Sequence, residues 1–144
     1  MPVRAVEVTS IEAKRFARTG ERHGQVRIDH NSTVTLITPL NEREATVEFR
    51  YTASYGAMGL IKLEGAIRWE GNATAIATQW SKTNQMPEDM ASEVHTAVMR
   101  VCVPQAVGLS VPLQLPPPIP LPAVQFQKTD PSAGKAAGHG PEFG

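Results

Sequence analysis

Cysteine is almost missing from this chain: 144 residues hold a single one, Cys102. No internal disulfide can form, and four scattered histidines supply no zinc-ligand spacing. An excess of either charge is missing too, because 14 Lys and Arg balance 14 Asp and Glu. There is no basic field to hold nucleic acid or an anionic membrane, and no acidic field to draw basic partners. No apolar run approaches the roughly 18 residues that span a bilayer, and the opening Met1 to Val8 lacks the apolar block of a signal peptide. These absences favour a soluble, cytoplasmic protein with no membrane insertion and no nucleic-acid partner. Catalytic and cofactor signatures are absent as well: no G-x-S-x-G, no G-x-x-x-x-G-K-[ST], no G-x-G-x-x-G and no H-E-x-x-H.

What the chain does have is alternation. Val47, Phe49, Tyr51, Ala53 and Tyr55 share one phase and Thr46, Glu48, Arg50, Thr52 and Ser54 the other, the period of a half-buried strand. After a short Gly56-Ala-Met-Gly59 connection, Ile61, Leu63, Gly65, Ile67 and Trp69 alternate with Leu60, Lys62, Glu64, Ala66, Arg68 and Glu70. Two such runs joined by a short loop predict an antiparallel hairpin. Val26 to Leu36 reads as a third strand, interrupted where polar residues cluster at His30-Asn-Ser32. Val3 to Phe16 reads as a fourth. There Val6 and Val8 hold one phase while Ile11 and Ala13 hold the other, which predicts a bulge near Thr9-Ser10.

The grammar changes at Asn72, a good N-cap, from which Ala73 to Lys82 reads as a short helix ending near Thr83-Asn84. Pro87 and the acidic pair Glu88-Asp89 suit the first turn of a longer helix. Its apolar stripe is Met90, Val94, Ala97, Val98, Val101 and Cys102, and Pro104 is expected to kink or end it around Arg100 to Val103. The segment 111–122 carries repeated proline among Leu113, Leu115, Ile119 and Leu121 and reads as an extended arm laid on its own domain or on a neighbouring subunit. Pro117 to Pro120 formally fits a PxxP ligand, but no Arg or Lys flanks it to orient SH3-type docking. One domain is expected over 1–127, arm included, followed by a Gly/Ala-rich disordered tail over 128–144.

Little in the sequence is pre-paired for chemistry. On one helix, His95 and Cys102 would lie two turns, about 10 Å, apart, too far for a nucleophile and its base. The carboxylates of the alternating strands fall on polar, solvated faces. The expectation is therefore a protein that is not an enzyme and has no cofactor. The apolar sheet face outruns what one long and one short helix can cover, which leaves apolar surface for a partner.

In the order and composition of these segments the chain resembles the SecB family of export chaperones over about residues 6–126. Val8-Thr-Ser-Ile-Glu-Ala13, Val26-Arg-Ile-Asp29, Ala45 to Gly56 and Gly59 to Trp69 are similar to the family's four strands. Pro87 to Val111 is similar to its long helix, and the proline-rich exit to the segment that follows it. The resemblance implies an α+β protomer: a four-stranded antiparallel sheet with one long and one short helix on one side. It also implies a homo-oligomer, a dimer or a homotetramer built as a dimer of dimers, whose apolar grooves hold non-native polypeptide without ATP. The strand of Ile61, Leu63 and Gly65 matches the one by which family protomers pair and is the expected dimer seam. The client groove is expected between the long helix, the crossover and the second strand, with Trp80, Met86, Met90 and Val98 as candidate residues. Two departures stand out. Family members carry a strongly acidic surface that engages the export motor, whereas this chain is neutral, with Lys62 and Arg68 on the polar phase of its strand. The segment Asn72 to Met86 replaces the family's crossover loop. The leading expectation is an ATP-independent holdase, with the resemblance implying a role in protein export; the alternative is an oligomeric adaptor or antitoxin-type chaperone dedicated to one partner.

Overall fold

Alternation along a strand decides which side chains share a face, and the sheet of this protein is assembled from four such strands. The computed structural model describes residues 3–18 and 26–119. It orders β1 (Val3–Arg15), β2 (Asp29–Pro39), β3 (Glu44–Ser54), β4 (Gly59–Glu70), α1 (Ala73–Thr83) and α2 (Glu88–Ser110) along the chain. The strands form one antiparallel sheet in the order β1-β4-β3-β2. The chain is an α+β fold.

The inward face of β3 is Ala45, Val47, Phe49, Tyr51 and Ala53, and that of β4 is Ile61, Leu63, Gly65, Ile67 and Trp69, all buried. Both helices press on this face through Ala73 and Ile76 of α1 and Met90, Val94, Val98, Cys102 and Ala106 of α2. Burying each large aliphatic or aromatic side chain here is worth about 1.5–3 kcal/mol. The outer face is polar. Glu12 accepts from Lys14 at 3.0 Å and Lys62 at 3.2 Å, which lowers its pKa, and Arg50 pairs with Glu64 at 3.0 Å.

The expected bulge in β1 is present. A register shift between Val8 and Ser10 brings Val6, Val8, Ile11 and Ala13 opposite Ile67, Gly65, Leu63 and Ile61, so both phases end on one face. Other expectations are corrected. The second strand begins at Asp29 and runs unbroken through the polar cluster to Pro39. The polar residues do not break it because the inward pair is satisfied, His30 by the Tyr51 hydroxyl at 2.8 Å and Ser32 by His95 at 2.7 Å. Pro104 does not end the long helix, which continues to Ser110. The backbone bond it removes would have gone to the carbonyl of Arg100, and both residues lie on the exposed side, where water replaces the lost donor. In the α2 stripe, the buried set follows a strict spacing of four, which leaves Ala97 and Val101 half-buried.

The dimer seam expected at Ile61, Leu63 and Gly65 is also corrected. β4 lies inside the sheet, paired to β1 on one side and β3 on the other. Its backbone groups are already bonded, and Ile61 and Leu63 are fully enclosed in the core. No strand of a second protomer can be added there. Among the described residues, the open edges are β1 and β2.

The proline-rich arm packs on its own domain as far as it is described. After a turn at 111–114, Leu115 and Pro118 are buried. The Tyr55 hydroxyl donates to the Pro116 carbonyl at 2.7 Å, and Arg15 donates to the carbonyls of Leu113 and Gln114. The end of the arm and the tail over 128–144 lie outside the described residues.

Candidate functional site

The first element of the site is α1, whose ends are both closed by asparagine. The Asn72 side chain accepts from the Ala75 amide at 3.2 Å, and Asn84, at φ 54°, closes the last turn with its amide on the Trp80 carbonyl at 2.8 Å. Asparagine tolerates this left-handed backbone, so the chain reverses within a few residues and enters α2 after Pro87. Ile76 points into the core, and Trp80, one turn later, lies half-buried at its margin.

Between this reversal, the edge strand β2 and the first turns of α2 opens a cavity of about 550 Å³. Its apolar wall is Val34, Trp80, Met86 and Ala91. Its polar wall includes Ser32, His95, Asn84, Gln85 and Glu88. At the junction of β2 with α2, Ser32 Oγ lies 2.7 Å from His95 Nδ1. Burial lowers the His95 pKa below its ordinary value of 6.5, so the imidazole is neutral at pH 7. With the ring proton on Nε2, the serine hydroxyl donates to Nδ1.

Of the four groove residues expected from the sequence, the structure brings two together. Trp80 and Met86 line the cavity. Met90 and Val98 do not: both are buried in the core, 2% and 0% exposed, and hold α2 to the sheet. The pairing of Ser32 with His95 was missed, since His95 was weighed only against Cys102. Ser32 and His95 stand 63 residues apart on different element types, and no motif links them.

Two other depressions frame the molecule. One of about 420 Å³ lies between β1 and α2, with Val3, Val6, Ala97 and Val101 on its walls. The other, about 830 Å³, lies over the start of α1, lined by Glu42, Arg43 and Glu70, the last of which is paired with Arg4. Near it the Trp69 indole nitrogen is buried against Gly71 with no hydrogen-bond partner among the described residues. Large apolar side chains are exposed at both sheet margins, Ile11 and Phe16 at the β1 edge and Leu36 and Leu40 at the β2 edge, and at Val111 after α2. Cys102 is buried, and burial raises its thiol to about 11, which makes it a core hydrophobe and not a nucleophile. Among the described residues no group of three or more His, Cys, Asp or Glu is placed to hold a metal ion, and no helix is long and apolar enough to cross a membrane.

Comparison with family models, curated proteins and solved structures returns no match to the chain.

Proposed function

We propose that this protein is an ATP-independent holdase of SecB-like type, which binds extended segments of non-native polypeptide along the β2 edge. The observation that carries this reading is the placement of an open, 11-residue edge strand directly beside the Trp80–Met86 cavity. An extended chain added to β2 gains backbone hydrogen bonds irrespective of its sequence, while every second side chain turns toward the cavity. Apolar side chains gain about 25 cal/mol per Å² buried there. Holding of this kind needs no bond-making chemistry, metal or cofactor, and it fits a neutral chain in the cytoplasm.

Self-association belongs, on this reading, to the opposite edge. β1 offers 13 residues of strand, exposed Ile11 and the apolar depression against α2. Two copies pairing there in antiparallel fashion would join two sheets into one and leave both β2 edges free.

The test is suppression of aggregation when several unrelated, chemically denatured proteins are diluted into buffer without nucleotide. Protection of all of them, weakened by Trp80→Ala, is expected. Protection of one protein alone would assign a dedicated adaptor, and protection of none would overturn the proposal.

A further inference from the structure

The cavity holds a pair of groups that polypeptide holding does not use. Ser32 Oγ and His95 Nδ1 are 2.7 Å apart, the reach a nucleophile and its general base require, and both lie on the wall of the same accessible space. Ser32 is placed by β2, where its register opposite Tyr51 turns the side chain inward, and His95 by α2, a rigid helix packed on the sheet. Asn84, Gln85 and Glu88 line the same cavity, and Trp80, Met86 and Val34 form an apolar surface beside them. Nucleophile, base, amide-bearing residues and an apolar seat therefore share one cavity.

We propose that Ser32 is a nucleophilic site that accepts acyl groups from small activated esters or thioesters, with His95 as its base. Ser32 Oγ attacks the acyl carbon while its proton passes to His95 Nδ1, and a tetrahedral oxyanion forms in the cavity that the amide-bearing residues Asn84 and Gln85 line. Collapse breaks the bond from the acyl carbon to the leaving oxygen or sulfur. The leaving group takes the proton back from the imidazolium, so that the products are O-acyl-Ser32 and a free alcohol, phenol or thiol. Trp80 and Met86 seat a short aliphatic acyl chain. His95 has no carboxylate partner among the described hydrogen bonds, so the acyl-serine accumulates and is not turned over quickly. This inference is independent of client holding, since it is read in the absence of any polypeptide.

The experiment is incubation of the full chain with p-nitrophenyl butyrate, followed by nitrophenol release, intact mass and peptide mapping. One nitrophenol per chain in a burst is expected, together with a mass gain of one butyryl group on the peptide that contains Ser32. Ser32→Ala should abolish the burst, and His95→Gln should slow it about a hundredfold, the scale of lost general-base assistance. Ser32→Cys, which keeps a nucleophile at the site, should restore labelling at position 32 and separates loss of chemistry from loss of fold. An acyl group mapped to lysine or the amino terminus, a burst that survives Ser32→Ala, or an unchanged rate in His95→Gln would each overturn the proposal.

Discussion

Gly65 of β4 faces Phe49 of β3 across the sheet, and a Cβ on Gly65 would stand 2.9 Å from the tip of that ring and collide with the Glu7 carbonyl of β1. Glycine inside a strand ordinarily weakens it, so alanine there is ordinarily an improvement. At this position the sign reverses, because both neighbouring strands close on the missing side chain. Gly65→Ala should destabilise the fold by about 1–3 kcal/mol through overpacking. A urea midpoint equal to or above that of the parent would refute the close approach.

Leu63 and Ile11 are cross-strand partners, yet one is fully enclosed and the other is 53% exposed. Leu63→Arg should therefore unfold the protein, since it buries an unpaired charge. On the proposed pairing of two copies along β1, Ile11→Arg should leave circular dichroism intact and shift sedimentation toward monomer. An Ile11→Arg protein that sediments like the parent would remove the β1 edge from the assembly.

The arm is held by polar contacts at its start. Arg15 reaches the carbonyls of Leu113 and Gln114, and Tyr55 that of Pro116. Arg15→Ala should cost about 1 kcal/mol of stability, as for a typical hydrogen bond. It should also raise the rate of limited proteolysis within 111–119 ahead of cleavage in the sheet. Equal protection of the arm in both proteins would show that Leu115, Pro118 and the Tyr55 bond hold it without Arg15.

Titration should narrow the stable range from both sides. Burial pushes the Tyr51 and Tyr55 hydroxyls up to about 12 and the Cys102 thiol to about 11. The unfolded chain releases these protons earlier, from their ordinary values near 9–10, so the folded state binds more protons above that range and stability falls as pH rises through the window up to about 12. His95 has the opposite sign. Its pKa is lowered by burial, so the unfolded chain binds the proton first and stability falls as pH drops below about 6.5. Melting temperatures across pH should show a plateau between these limits, and His95→Gln should flatten its acid side. A parent and variant with identical acid limbs would contradict the buried, neutral imidazole.

Much of the fold was legible because periodicity is local. Alternation in Val47 to Tyr55 and Ile61 to Trp69 named the buried face residue by residue, the phase change after Val8 announced the β1 bulge, and Asn72 marked the start of α1. The candidate site was half legible: of the four residues named for the groove that the family resemblance implies, Trp80 and Met86 line the cavity, whereas Met90 and Val98 serve the core. A period tells which way a side chain points, not which strand or helix it meets.

The sequence by itself determined the element types, the inward faces and the shortage of charged or metal-binding groups, because these follow from neighbours a few residues apart. Only the tertiary structure decided that β4 is central and β1 and β2 are edges, since strand order depends on pairings between distant segments. It alone carried α2 through Pro104, by leaving the broken bond on the solvent side. It alone joined Ser32 to His95, because packing a helix across a sheet sets a hydroxyl and an imidazole 63 residues apart at hydrogen-bond distance.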